Sequence, residues 1–277
     1  MSAHHSSRFR FWPADVIADG SMCLYRNDQD RLFGDEDQHV LTEPWEFPSD
    51  IPDAYTRLEA AERRLAADHA FAWHPEFGFL SPFPDHCGTG LHIWAEFHLE
   101  GLNLIGDLAP VRAALEAMRM SVRGIDADGL RNAGHVFHVW NNATLGLPER
   151  KLVRRVMRVF QDLLQQELYA RQILIDENPL IFEDSVMRAL AVLKSARLLS
   201  PWELFDLLSP IRLAANMGRL VGISRDEVLS MMAAQAKKPE LPPPETVADE
   251  RRRDSRDATL AARTNKRFAS VRFSFLT

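Results

Sequence analysis

Between Gly78 and Leu99 the sequence reads GFLSPFPDHCGTGLHIWAEFHL, and this stretch limits the choice of fold more than any other. Pro82 and Pro84 flank Phe83. Proline lacks an N–H and holds the residue before it in extended backbone, so this part is an irregular loop. Gly88-Thr89-Gly90 then turns the chain tightly, and strict alternation begins. Leu91, Ile93, Ala95, Phe97 and Leu99 fall on one face; His92, Trp94, Glu96 and His98 fall on the other. The pattern predicts a strand with one face in a core and a polar face free to line a site.

Elements of both kinds surround this strand. Met22–Tyr25 and Arg31–Phe33, about a turn at Asn27-Asp28, read as a hairpin that leads into the acidic segment Asp35-Glu36-Asp37-Gln38-His39. Pro52–Trp73 and Leu108–Met118 read as helices, and Met120–Ile125 and His135–Trp140 as strands. The connections are short, which suits a mostly antiparallel sheet better than βαβ units. From Pro148 the character is helical. Leu152, Val156, Val159, Phe160, Leu163 and Leu164 form one apolar stripe, and helices follow over 182–198, 201–220 and 225–236. Ser200-Pro-Trp-Glu203 and Ser224-Arg-Asp-Glu227 are capping boxes.

The fold class expected is α+β, an antiparallel sheet flanked by helices with a helical region after it. The expected units are a short N-terminal segment (1–19), a sheet domain (20–147), a helical region (148–236), a proline-rich linker (237–246) and a charged C-terminal helix and tail (247–277).

Charge and cysteine usage narrow the function. A net charge of −6 argues against nucleic acid as a partner, and Cys23 and Cys87 alone build no disulfide framework, which suits a reducing cytoplasm. No apolar run approaches the length of a membrane span, and the first residues carry no signal core. Asp85, His86, Cys87 and His92, with Glu96 and His98 on the strand face of His92, offer donors that zinc accepts, but their spacing fits no standard finger. No metal is assigned on that basis.

CGTGLH running into an apolar strand, followed by Val122-Arg123-Gly124, resembles the catalytic domain of the phosphagen (guanidino) kinases, and most closely its bacterial protein-arginine kinase branch (McsB type). Asn141-Asn142-Ala143-Thr144-Leu145-Gly146 is similar to the family's SNQITLG, and VRRVMRVFQDLLQQELYARQ and VGISRDEVLSMM resemble the helical part. The resemblance implies a glutamine-synthetase-like antiparallel sheet, a largely missing N-terminal domain, and in-line phosphoryl transfer from MgATP to a guanidinium nitrogen. In such a reaction, fixed cations and alignment of the attacking nitrogen carry the rate.

Carried over residue by residue, the family's first catalytic glutamate falls on Asp37 and the second on Asp128, each shortened by a methylene. The reactive cysteine falls on Phe83. Of the phosphate-binding arginines, Arg123 is kept, while Leu41 and His92 stand at two others; His39 is the motif histidine, and Arg8 and Arg10 fit the spacing of the serine–x–arginine–x–arginine motif. A phosphoarginine-binding motif of the branch falls on Arg253, Asp254, Arg256 and Asp257, with Asp257 where a second arginine belongs. The alternative reading of that segment is a solvated, charged helix.

The resemblance therefore implies a degenerate kinase with a regulatory or protein-binding role and no cofactor. Its partner would be an arginine kinase, the activator of such a kinase, or phosphoarginine proteins, and a homodimer is a further candidate. The alternatives are an active protein-arginine kinase using MgATP through an altered site, and a metal-binding protein.

Overall fold

The computed structural model describes residues 18–26, 39–46, 51–68, 70–80, 87–125, 132–142, 144–236 and 246–275. Its centre is a five-stranded, wholly antiparallel sheet in the order β2-β1-β5-β7-β6. The strands are β1 (Ala18–Arg26), β2 (His39–Glu46), β5 (Leu91–His98), β6 (Met120–Gly124) and β7 (Val136–Asn141). The strand predicted from alternation is β5, and it lies in the middle of the sheet. Its apolar row, Leu91, Ile93, Ala95 and Phe97, is buried against α1 (Ile51–Asp68), α2 (Glu100–Ile105), α3 (Leu108–Ala117) and α4 (Glu149–Asp176). Ile51, Ala54, Tyr55 and Leu58 recur at helical spacing on the buried side of α1, and Phe97 meets Phe160 of α4 edge to face.

A second core joins α5 (Pro179–Ser195), α6 (Pro201–Asn216), α7 (Arg225–Ala236) and α8 (Val247–Phe268). Both N-cap serines act as expected: Ser200 Oγ accepts from the Glu203 amide at 3.1 Å, and Ser224 Oγ from the Glu227 amide at 3.2 Å. The two cores meet where α6 packs on the turn Ala133–His135 and on Val136 at the start of β7. An antiparallel sheet flanked by helices and followed by a helical layer is the α+β arrangement expected.

Three local readings need correction. The partner of β1 is His39–Glu46, so the first hairpin is wider than the sequence suggested, and Arg31–Phe33 lies outside the described residues. The first helix stops at Asp68 rather than at Trp73. Pro75 holds His74 in extended backbone, and Trp73–His74 (β3) pairs instead with Gly78–Phe79 (β4). Helix α2 was not foreseen, because Gly101 and Asn103 are weak helix formers. The remaining short pair is β8 (Leu220–Val221) with β9 (Arg272–Phe273).

Candidate functional site

The polar face of β5 is the natural place for a site, and register shows what shares it. Trp94 stands opposite Trp140 of β7 and, beyond it, Ser121 of β6; Glu96 stands opposite His138 and then Arg123. Diagonal neighbours on such a face lie within reach of large rings. The rings of Trp94 and His138 stack with centroids 4.5 Å apart, and His138 meets Trp140 edge-on at 5.2 Å. The Arg123 guanidinium carbon lies 5.9 Å from the Trp140 ring centre, a cation–π contact. His92 is half-buried on the same face, and Arg123 is exposed. The four-residue offset between them is roughly 13 Å along the strands, and Trp94, His138 and Trp140 occupy the surface between. So the structure brings His92 and Arg123 onto one face, with two indoles and an imidazole dividing them.

The far end of that face is closed. Glu96 and His98 are buried, where the alternation pattern suggested a face open along its whole length. Helix α6 covers them: Ser209 Oγ lies 2.8 Å from His98 Nε2, and the buried Arg212 lies within electrostatic reach of Glu96. Burial, and secondarily the like charge of Arg171, pulls the Arg212 guanidinium down to about 9, so it remains cationic at neutral pH. His98 is held well below the ordinary imidazole range, first by burial and then by the cations of Arg212 and Arg171.

A cleft of about 460 Å³ opens at the other end of β5. Tyr55, Trp73, Phe77, Leu145, Glu149 and Arg150 are among its walls. Its rim is built by the glycine loop found in the sequence: the Phe79 and Gly88 amides and carbonyls pair at 2.8 and 2.9 Å, and the Thr89 amide donates to the Thr144 carbonyl at 3.0 Å. Tyr55 donates to Glu149 Oε2 at 3.0 Å; burial, and then the Glu149 charge, raises the Tyr55 hydroxyl above its usual value. Its volume suits a small-molecule pocket, yet its aromatic rim is strongly exposed, with Trp73 at 59% and Phe77 at 49%.

Other expected positions fall elsewhere. Asp37, Phe83, Asp128, Arg8 and Arg10 lie outside the described residues, as do Asp85 and His86. The backbone of His39 and Leu41 belongs to β2, in register with Arg26 and Leu24. Among the described residues, no three His, Cys, Asp or Glu side chains converge to hold a metal ion. On α8, Asp257 is buried rather than solvated. Arg256 forks onto it, with Nε and Nη2 each 2.9 Å from Oδ1, and the Asp257 carbonyl accepts from the Leu199 amide at 3.2 Å. Asp254 is exposed and Arg253 half-buried. Sequence reasoning missed Glu100, His135, Ser209 and Arg212, because only the packing of α6 on the sheet brings them together. No helix among the described residues is long and apolar enough to cross a membrane.

Residues 179–271 match the protein-arginine kinase McsB C-terminal domain. Curated protein-arginine kinases of Bacillus cereus (strain AH187) and Bacillus anthracis (strain A0248) are each 26% identical over 213 residues, 77% of this chain. The matched region spans 60% of those relatives' length. Among solved structures, a duplicated taurocyamine kinase from Schistosoma mansoni with bound transition-state analogue components is 12% identical, with a TM-score of 0.48 over 65% of this chain and 39% of that one. Residues 18–170, more than half of the chain, match the ATP:guanido phosphotransferase C-terminal catalytic domain, and the chain belongs to that family.

Proposed function

We propose that this chain is a non-catalytic relative of the protein-arginine kinases that works through protein contacts. The observation that carries the reading is the Trp94–His138–Trp140 stack between His92 and Arg123. Phosphoryl transfer spreads charge over the transferred group, and the protein contributes fixed cations and alignment. On the part of this face that α6 leaves uncovered, the described guanidinium is that of Arg123, and it leans on an indole. Its neighbours are aromatic surfaces, and beyond them an arginine position holds the His92 imidazole, a poor substitute for a permanent bidentate fork. Aromatic rings in these places favour a reading in which this face holds no magnesium-bound triphosphate. Loss of one preorganised charge-stabilising donor typically costs about 100- to 1,000-fold in rate, and here two of the arginine positions are Leu41 and His92. Shortened carboxylates at Asp37 and Asp128 and an aromatic ring at Phe83 act in the same direction.

The role that remains is regulatory: binding a protein-arginine kinase, its activator or a phosphoarginine protein. Exposed Arg251 on α8, with Arg252 in only a long surface ion pair to Asp249 at 3.9 Å, favours an acidic or phosphorylated partner, whereas Arg256 is engaged with Asp257. The second reading, an active protein-arginine kinase that uses MgATP through an altered site, is favoured by the exposure of Arg123. Incubation of the full chain with γ-labelled ATP, Mg²⁺ and an arginine-rich protein separates the two. The proposal expects no acid-labile phosphoarginine above background; turnover abolished by Arg123→Ala would overturn it.

A further inference from the structure

We propose that a proton shared between His135 and Glu100 latches together the junction of α2, the Ala133–His135 turn and α6 at the closed end of the sheet face, so that pH sets how readily that junction opens. This rests on the geometry at the junction of the two cores and is independent of any phosphoryl transfer. His135 Nδ1 lies 2.5 Å from Glu100 Oε2, and Ser209 Oγ donates to the same carboxylate oxygen. Ser209 in turn sits 2.8 Å from His98 Nε2. Four elements are tied by these contacts: the Ala133–His135 turn, α2, α6 and β5. The turn is locked to α6 a second time, because the Gly134 amide donates to Asp206 Oδ1 at 2.7 Å.

Ser209 is fully buried, which rules it out as a nucleophile for an outside substrate. Its single proton goes to Glu100, so the His98 proton must be on Nε2, donated to Ser209 Oγ. His98 Nδ1 then carries the lone pair, and among the described residues it has no hydrogen-bond partner. Protonating His98 would leave a buried N–H without an acceptor, facing Arg212 of α6 and Arg171 of α4. His98 therefore stays neutral while α6 is docked. His135 is the opposite case. Its side chain is 28% exposed, so it exchanges protons with solvent, while Glu100 beneath it is 3% exposed. Burial alone would lower His135, but the hydrogen bond and charge of Glu100, together with Asp206 on α6 and Glu167 on α4, outweigh it and hold the imidazole above its ordinary value. Glu96 on β5 completes the set of charges at the junction through its reach to Arg212.

The signs follow from linkage. A histidine raised in the docked state gives full support below its free value of about 6.5 and loses it as pH rises through the docked value. A histidine lowered in the docked state withdraws support as pH falls below about 6.5. Opening of this junction, which parts His135 from Glu100 and His98 from α6, should thus be least near pH 6.5 and increase on both sides, by up to about tenfold per pH unit within each window.

Hydrogen exchange of the full chain between pH 5 and 9, corrected for intrinsic exchange, tests this at the amides of residues 133–136 and 201–212, with the α1 amides as an internal reference. A minimum near neutrality is expected, with His135→Gln flattening only the alkaline arm and His98→Gln only the acid arm. Opening that does not vary with pH in the parent chain, or arms unaltered by both substitutions, would overturn the latch. NMR titration of the parent chain provides a readout free of folding defects in the variants: a His135 ring titrating at or below about 6.5, or a His98 ring titrating as a free imidazole, overturns it equally.

Discussion

The carboxylate of Glu167, fully buried on α4, closes the N-terminus of α2 by accepting from the Gly101 amide at 2.9 Å and from the Leu102 amide at 3.0 Å. Arg171, one turn later on α4, donates from Nε to the same Oε1 at 2.7 Å. Burial pushes the Glu167 carboxyl up, while Arg171 and the two amides pull it down. Helix α2 has no side-chain cap of its own, so this distant carboxylate supplies what a Ser or Asp at the N-cap would normally supply. The arrangement fastens the helix that follows β5 to α4, the longest helix among the described residues.

Glu167→Ala should therefore be among the most damaging substitutions. It strands a buried guanidinium and two buried amides, and removing one member of a buried pair costs about 3–5 kcal/mol. Urea denaturation of the variant should show a loss of unfolding free energy of that size, and a loss below about 1 kcal/mol would place the pair effectively at the surface.

Two glycines are expected to resist even alanine. A Cβ on Gly101 would meet Glu167 Oε1 at 2.9 Å and Arg171 Cγ at 3.0 Å, and one on Gly134, at a φ of +56°, would meet Phe205 Cε1 at 2.5 Å. Each change should cost about 1–3 kcal/mol through overpacking, with Gly134→Ala the worse because its backbone is also left-handed. Thermal melts of both variants against Gly106→Ala, whose added Cβ would meet nothing, separate crowding from backbone strain.

The capping serines should behave independently of the site. Ser200→Ala and Ser224→Ala should each lose about 1 kcal/mol, and the double variant should lose about the sum, since the two N-termini share no partner. Chemical denaturation of the three proteins checks additivity.

Restoring one cation should not restore nucleotide binding. With Trp94 and Trp140 still in place between the two positions, His92→Arg is expected to leave the melting temperature unmoved by millimolar MgADP. A clear shift in that variant would show that the missing charge, rather than the indoles, had closed the face.

Much of this was legible in the chain because it depends on local chemistry. The β5 alternation, the α4 stripe and the two N-cap serines rest on periodicity and neighbouring residues, and they appear where expected. What escaped depends on packing between distant segments. Nothing near Glu100 marks it as a helix start, because its cap comes from Glu167. Glu96 and His98 read as a solvent-facing pair until α6 is laid over them. Asp257 read as one charge among many, although Asp257, Ala261, Thr264 and Phe268 form the buried stripe of α8 and the arginines before it disguise where that stripe begins. Asp37, Phe83 and Asp128 fall outside the described residues, so the carboxylate and cysteine positions of the site rest on the sequence alone.

If the indoles close the sheet face, the chain binds no nucleotide there. Calorimetric titration of the full chain with MgATP measures that directly. No saturable heat is expected up to millimolar nucleotide; saturable one-to-one binding that is lost on substituting Arg123→Ala would contradict that closure.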